Sequence, residues 1–193
     1  MSKSGGKTIV IGLGYVGLPL AVALARAHPE TQVVGFDIDS KRINELREGL
    51  DRTREVDAAA LGATAMNFTD RDEDCAGADI VIVTVPTPVD EHNKPDLGAL
   101  LSASRRLAGW LDPARRPTVV FESTVYPGAT EEECGPLIEQ VSGLTRGRDF
   151  RLGYSPERIN PGDKVHRVDK IADQSRRQGP PRRQDRQGHR RRG

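Results

Sequence analysis

Three closely spaced glycines constrain this sequence more than any other feature. Gly12, Gly14 and Gly17 follow directly after a short apolar run, Lys7–Ile11, and precede a segment rich in Ala, Leu and Val. The run indicates a strand buried on both faces, and the segment after it indicates a helix. The pattern G-x-G-x-x-G between a strand and a helix is typical of a turn that binds the pyrophosphate of a dinucleotide.

Each glycine has its own expected role in such a turn. Gly12 permits the tight bend, Gly14 lets the backbone approach the pyrophosphate, and Gly17 lets the helix pack closely on the strand. The pyrophosphate would lie at the helix N-terminus, where free N–H groups and the helix dipole favour an anion. Glycines also mark turns for structural reasons alone, so a second signal is needed.

Asp37 supplies the second signal. It ends the next predicted strand, Gln32–Phe36, and lies 20 residues after Gly17. An acid at this place accepts hydrogen bonds from the adenosine ribose and repels a 2′-phosphate, which favours NAD over NADP. Asp39 is the alternative acid, although it is also placed to cap the following helix. Arg42 either reaches the adenosine side of the site or is a solvated helix residue.

Strands and helices alternate through the following residues. Further strands are expected in three apolar segments, 78–85, Thr118–Phe121 and 149–152. Helices are expected after three capping residues, which are Ser40, Asp96 and Thr130, the last in a capping box with Glu133. The alternation predicts an α/β fold of Rossmann type, a doubly wound parallel sheet in a single domain.

Hydroxyl groups follow two of the predicted strands. Thr84 and Thr87 lie at the end of one strand, and Ser123 and Thr124 lie at the end of the next. Ligands of doubly wound sheets bind at the carboxyl ends of the strands, so these hydroxyls are candidate ligand contacts. Capping of a loop or helix is the structural alternative for each of them.

The last residues differ in composition from the others. Residues 1–169 contain 20 Lys and Arg against 26 Asp and Glu, whereas residues 170–193 contain nine basic and two acidic residues. We therefore divide the chain into a domain, 1–171, and an Arg/Gln/Gly/Pro-rich tail, 172–193, which is predicted to be disordered. The tail is a frameshift or truncation scar, a disordered linker or a nucleic-acid arm. Its lack of aromatic residues disfavours nucleic acid as a partner.

Several other classes of protein are excluded by composition. No apolar run approaches the ~20 residues of a membrane-spanning helix, and the N-terminal residues contain no signal-peptide core. The two cysteines, Cys75 and Cys134, make neither a disulfide framework nor a metal cluster. The expected class is a cytoplasmic α/β protein without a metal.

Five motifs in order carry a more specific signal: IGLGYVGLPLA, VVGFDID, TVPTPVD, ESTVYPG and GYSPERINPGDK. With these motifs, residues 7–171 resemble the NAD-binding half of the UDP-sugar 6-dehydrogenases. Within that family the sequence is most similar to the UDP-N-acetylhexosamine branch, to which LREGLDRTREV and SPERINPGDKVHR point. The resemblance implies oxidation of the sugar C6 alcohol to a carboxylate with reduction of two NAD, for capsule or O-antigen polysaccharide.

The resemblance also implies roles for individual residues. The NAD site would be lined, besides the glycines, by Tyr15, Val16, Asp37, Arg42, Thr87 and Thr124. Thr124 would help to position a catalytic water, and Glu157 would act on that water and in acid–base chemistry. The UDP-N-acetylhexosamine substrate would be contacted by Arg158, Ile159 and Asn160.

The sequence departs from the family after Ile171. The family uses a cysteine nucleophile in a Gly-rich segment beyond the matched region. The acidic surroundings of Cys75 disfavour a thiolate, and Cys134 falls in a helical segment. We therefore expect no nucleophile, sugar-binding domain or family dimer interface in this chain, and little or no activity alone. The alternatives are a stand-alone NAD-binding module and a β-hydroxyacid-type dehydrogenase, against which ESTVYPG and SPERINPG argue.

Overall fold

Six parallel strands form one sheet in the computed structural model, which describes residues 5–88, 95–123, 125 and 128–155. The strands are β1 (Lys7–Ile11), β2 (Gln32–Phe36), β3 (Asn67–Thr69), β4 (Ile80–Val83), β5 (Thr118–Phe121) and β6 (Arg151–Tyr154). Their order across the sheet is β3-β2-β1-β4-β5-β6, which is that of a doubly wound nucleotide-binding sheet. The predicted Rossmann-type α/β fold is confirmed.

Helices cover both faces of this sheet. They are α1 (Gly17–Ala27), α2 (Ser40–Arg47), α3 (Ala58–Gly62), α4 (Gly98–Ala108) and α5 (Gly135–Ser142). Alternate residues of β1 face opposite layers, as the period of a strand requires. Ile9 and Ile11 pack in the cluster that contains α4 and α5, whereas Val10 packs against Ala21 of α1. The apolar run of β1 is therefore buried on both faces.

The register of the strands brings the candidate site residues to one edge of the sheet. Ile11 aligns with Phe36 on one side and with Val83 on the other, and Val83 aligns in turn with Phe121. The residues that follow these strand ends consequently lie in a row. The chain leaves β1 and β4 toward opposite sides of the sheet, so a crevice opens above these two strands.

Helix capping differs in detail from the sequence prediction. Asp39, not Ser40, is the cap of α2, because Asp39 has the extended backbone of a cap residue and its side chain accepts from Lys41 N–H at 3.0 Å. The carboxylate of Asp96 accepts from Gly98 N–H at 2.8 Å, although the residue between them occupies the cap position of α4. Both acids satisfy free N–H groups at a helix start, as expected.

The capping box predicted at Thr130 is wrong. Thr130 is buried and begins a π-helical turn, Thr130–Cys134, that runs into α5. Its hydroxyl donates to the carboxylate of Glu131 at 2.7 Å and caps no N–H group. The prediction of a helix here was correct, but the first turn of the helix is wider than an α-helical turn and contains no capping box.

Short elements account for the other differences. The strand β3 has three residues and the helix α3 has five, and neither was predicted. The strand expected at 78–85 is shorter, Ile80–Val83, and the strand expected at 149–152 begins two residues later, at Arg151. The predicted disordered tail, 172–193, lies outside the described residues.

Removing the side chain of Ile9 tests the central packing of the sheet. Ile9 is fully buried, and β1 pairs with β2 and β4 on its two sides. We expect Ile9→Ala to lower the free energy of unfolding by about 2–5 kcal/mol, because a cavity remains in the core. Urea denaturation measures the change. Leu50→Ala, at a side chain 57% exposed, is the control and should change it by less than about 0.5 kcal/mol.

Candidate dinucleotide site

The glycine-rich turn joins β1 to α1 and is tightly fixed. Gly12 has a φ of +90°, a conformation that favours glycine, and its N–H donates to the Phe36 carbonyl at 2.8 Å. A Cβ on Gly17 would overlap the carbonyl oxygen of Gly12 and the hydroxyl of Thr84. A Cβ on Gly14, by contrast, would meet no atom within 4 Å. The first and third glycines are thus required by the fold, and the second leaves open space.

Thr84 holds the turn from the neighbouring strand. Its hydroxyl lies 2.9 Å from the Ile11 carbonyl oxygen and 2.8 Å from that of Gly12, and it donates its single hydrogen to this pair. Ser123 is similarly engaged, because its hydroxyl donates to the Val85 carbonyl at 3.0 Å. Both side chains are buried. These two hydroxyls, predicted as candidate ligand contacts, thus donate to backbone carbonyls, and Thr84 also lines the cavity described below. Their contact with a ligand stays a prediction.

Asp37 is anchored against the turn. Its Oδ2 accepts from Leu13 N–H at 2.8 Å and its Oδ1 accepts from Asp39 N–H at 3.0 Å. Each carboxylate oxygen keeps a further lone pair, so the side chain can still accept bonds from a diol. Because the rotamer is already fixed, little side-chain entropy is lost when such a ligand binds.

Arg42 lies beneath the turn. It is 4% exposed, its Nε donates to the Leu13 carbonyl at 2.9 Å, and its Nη2 donates to Asp51 Oδ1 at 2.7 Å. It is not among the residues that line the cavity described below. Its Nη1 is buried and has no partner among the described residues. The structure places Arg42 as a support of the turn, and its contact with a cofactor stays a prediction.

Asp51 completes this buried ion pair. Burial disfavours its charge, but hydrogen bonds from Thr53, from the Val56 N–H and from Arg42 outweigh that cost and lower its pKa. Its carboxylate also accepts from Glu55 N–H at 2.9 Å. Asp51 therefore stays charged opposite Arg42 at neutral pH, as a buried guanidinium requires.

A cavity of about 740 Å³ opens above the carboxyl ends of β1 and β4. It brings together six residues predicted for cofactor binding, which are Gly12, Gly14, Tyr15, Val16, Asp37 and Thr87. Gly17 lies behind them, in the packing of α1 against the turn. The cavity has the place and size expected of a nucleotide site in a doubly wound sheet.

One face of α4 forms the far wall of the cavity, and sequence reasoning missed it. The lining residues on this face are Ala99, Ser102, Ala103, Arg106 and, just after the helix, Trp110. Their spacing of three, four and seven residues is that of a helical face, which was the available signal. The sequence pattern of this helix was interpreted only through its apolar stripe, which packs in the core.

Neither cysteine resembles a nucleophile. Cys75 is fully buried, and burial, together with Asp72 and Asp74, raises its pKa to about 12 despite the opposing charge of Lys7. Burial also raises the pKa of the Cys134 thiol. Neither thiol therefore ionises readily near neutral pH, which agrees with the sequence interpretation.

Other predicted site residues lie outside the described residues. They are Thr124, Glu157, Arg158, Ile159 and Asn160. Within the described ranges there is no group of three or more residues suited to hold a metal ion. In that same part of the chain no helix combines the length and apolar character needed to span a membrane.

Comparison with known families identifies the domain. Residues 6–173 match the model of the UDP-glucose/GDP-mannose dehydrogenase family, NAD binding domain. The chain belongs to this family. NAD is accordingly the cofactor of the domain, and the open space at Gly14 and the anchored acid Asp37 fit it.

Relatives in this dehydrogenase family are substantially longer than the chain. It is 54% identical over 166 residues to the UDP-N-acetyl-D-glucosamine 6-dehydrogenase of Pseudomonas aeruginosa, covering 86% of this chain and 38% of the relative. It is 54% identical over 162 residues to Protein CapL of Staphylococcus aureus, covering 84% and 37%. The solved UDP-D-ManNAc dehydrogenase of Pyrococcus horikoshii matches with a TM-score of 0.72 and 37% identity, covering 81% and 37%. The chain spans less than two fifths of each.

The glycines of this family domain allow a test that separates binding from folding. We expect Gly14→Ala to leave the unfolding temperature unchanged but to weaken NAD at least about tenfold, because the new methyl group occupies the open space over the turn. Gly17→Ala should instead lower stability by several kcal/mol, because its Cβ overlaps backbone. Calorimetric titration and thermal unfolding check the pair. Equal NAD affinity in Gly14→Ala would place the pyrophosphate elsewhere.

Removal of the Asp37 carboxylate tests the ribose contact. We expect Asp37→Ala to weaken NAD by about 1–3 kcal/mol, through loss of charge-assisted hydrogen bonds. Asp39→Asn is the matched control, because asparagine preserves the helix cap at that position. Calorimetry with NAD measures both. If the loss followed Asp39 and not Asp37, the alternative acid would be the ribose ligand.

Proposed function

We propose that this chain is the NAD-binding part of a dehydrogenase that oxidises C6 of a UDP-N-acetylhexosamine to the uronic acid. The observation that carries the proposal is the 54% identity to the Pseudomonas aeruginosa enzyme named for UDP-N-acetyl-D-glucosamine. The cavity at the carboxyl edge of the sheet supports it, because an anchored acid and an open glycine turn meet there. Bound NAD supplies the hydride acceptor for both oxidation steps.

The described residues have binding and orienting roles in this proposal. The N-terminus of α1 and the backbone at Gly14 face the pyrophosphate, and Asp37 accepts from the adenosine ribose hydroxyls. Tyr15, Val16 and Thr87 line the rest of the same cavity. These residues fix where the nicotinamide lies, and hence which atom of a substrate it meets.

The catalytic and substrate roles rest on the family resemblance. We propose that Thr124 and Glu157 position and activate a water, and that Arg158, Ile159 and Asn160 contact the nucleotide sugar. The boundary between domain and tail, at 171, also remains a proposal. The family match, which ends at 173, supports it.

The stand-alone NAD-binding module is the second candidate. It is favoured by the two buried cysteines, whose raised pKa values make either one unsuited to attack an aldehyde. The two candidates differ in one respect: only the first predicts that this domain supports sugar oxidation when a second half is supplied.

Turnover measurements distinguish the candidates. We expect the chain alone, with NAD and UDP-N-acetylglucosamine, to form no NADH, because it offers no suitable thiolate. A chimera in which residues 7–171 replace the matching segment of the Pseudomonas aeruginosa enzyme should form two NADH per sugar. NADH absorbance and product analysis give both results.

Two outcomes would contradict the first candidate. A chimera that binds NAD but oxidises no UDP-sugar would favour the binding module. Robust turnover by the chain alone would mean that a nucleophile exists outside Cys75 and Cys134. UDP-glucose is the control substrate for the chimera, and it should be oxidised less well than the N-acetylated sugar.

A further inference from the structure

We propose that Arg106 is the platform on which the adenine of NAD stacks. Its guanidinium carbon lies 5.0 Å from the centroid of the Phe36 ring, and Arg106 lines the cavity. Phe36 is only 1% exposed, and the guanidinium carbon of Arg106 lies over its ring. The inference rests on the proposed function, because it assigns a place to the base of the same NAD.

The position of Phe36 in the chain locates the base. Phe36 is the last residue of β2, and Asp37, the proposed ribose ligand, follows it directly. Adenine is bonded to that ribose, so it lies within one sugar ring of Asp37. The wall of the cavity there is formed by Phe36 and, over it, by Arg106 of α4.

Asp72 and Phe36 hold the Arg106 side chain in place, and Trp110 supports both of these residues. The Nε of Arg106 donates to Asp72 Oδ1 at 2.7 Å, and the indole N–H of Trp110 donates to the same oxygen at 3.0 Å. Trp110 in turn meets Phe36 edge to face, with ring centroids 5.0 Å apart and an interplanar angle of 60°. A planar cation held in this way offers a preformed surface to a flat base.

An exposed apolar side chain supplies the second observation. Ile38 follows Asp37 directly, lines the cavity and is 74% exposed, so most of its apolar surface is accessible to a ligand. A base lying over Arg106 and next to Asp37 would cover Ile38 from water. We infer that the adenine lies between the guanidinium of Arg106 and the side chain of Ile38.

Binding of NAD and of ADP by the full chain tests the proposal, because both ligands carry the adenine. Arg106→Lys keeps the charge but removes the plane, and we expect both dissociation constants to rise by about three- to thirtyfold. Arg105→Lys, on the exposed side of the same helix, is the matched control and should leave both unchanged. Calorimetry measures the affinities, and the fluorescence of Trp110, the one tryptophan of the sequence, gives a second readout.

Ile38→Ala provides a variant whose folding is not in question, because the side chain is mostly exposed. It should weaken NAD and ADP by the same factor, about threefold, with an unchanged unfolding temperature. Leu50→Ala is its control.

The binding results for these variants can be interpreted separately from the test of the proposed function. Parallel losses for NAD and ADP in both variants support the adenine platform. Unchanged affinities in the two variants overturn it, and so does a loss for NAD without a loss for ADP, since that places Arg106 near the nicotinamide. These readouts do not depend on sugar oxidation, so failure of the chimera would leave them intact. Failure of the unaltered chain to bind NAD would overturn both.

Discussion

The site depends most on the backbone of Leu13, in the glycine turn. Its N–H donates to Asp37 and its carbonyl accepts from Arg42, so the turn is held on both sides at once. Hydrogen bonds with charged partners contribute about 1.5–3 kcal/mol each. The bond from Leu13 also fixes the orientation of the Asp37 carboxylate, so the backbone of the glycine turn determines where this acid points. A change in the turn is therefore a change in the ribose contact.

The buried pair of Arg42 and Asp51 extends this constraint into the loop after α2. The two side chains are 5% and 1% exposed, so both have lost most of their hydration. Such a pair adds little net stability, but loss of one partner costs about 3–5 kcal/mol, because the other charge stays buried. Asp51 also accepts from the backbone of Thr53, Glu55 and Val56. The loop after α2 is therefore folded around the Asp51 carboxylate, which supports the glycine turn through Arg42.

The sequence predicted the sheet better than it predicted the contacts of the site. Apolar runs identified β1, β2, β4 and β5, because the inner strands of a parallel sheet are nearly continuous in hydrophobicity. The three-residue strand β3 is too short to show a period. Ser40 was assigned as a cap from its residue type and Thr130 from its spacing to Glu133, whereas the backbone conformation decides which residue caps.

Polar roles in the site depended on tertiary contacts. Gly12, Gly14, Gly17 and Asp37 were predictable, because their spacing encodes a backbone geometry. The hydroxyl of Thr84 was not, since its two acceptors lie 72 and 73 residues earlier in the chain. Arg106 was missed for the same reason, because Phe36 and Asp72 come from other elements.

Those long separations have a consequence for folding kinetics. The glycine turn, α1 and Asp37 lie in one local segment of the chain. The Thr84 hydroxyl that holds the turn, and the wall of the cavity that α4 forms, are in place only when β4 and α4 have docked. Parallel pairing between distant segments is slow, because the loop must close before its contacts form. NAD needs all of these parts for binding, so it stabilises the chain only once β4 and α4 have docked. A partly folded chain would carry the glycine motif and yet have no nucleotide site.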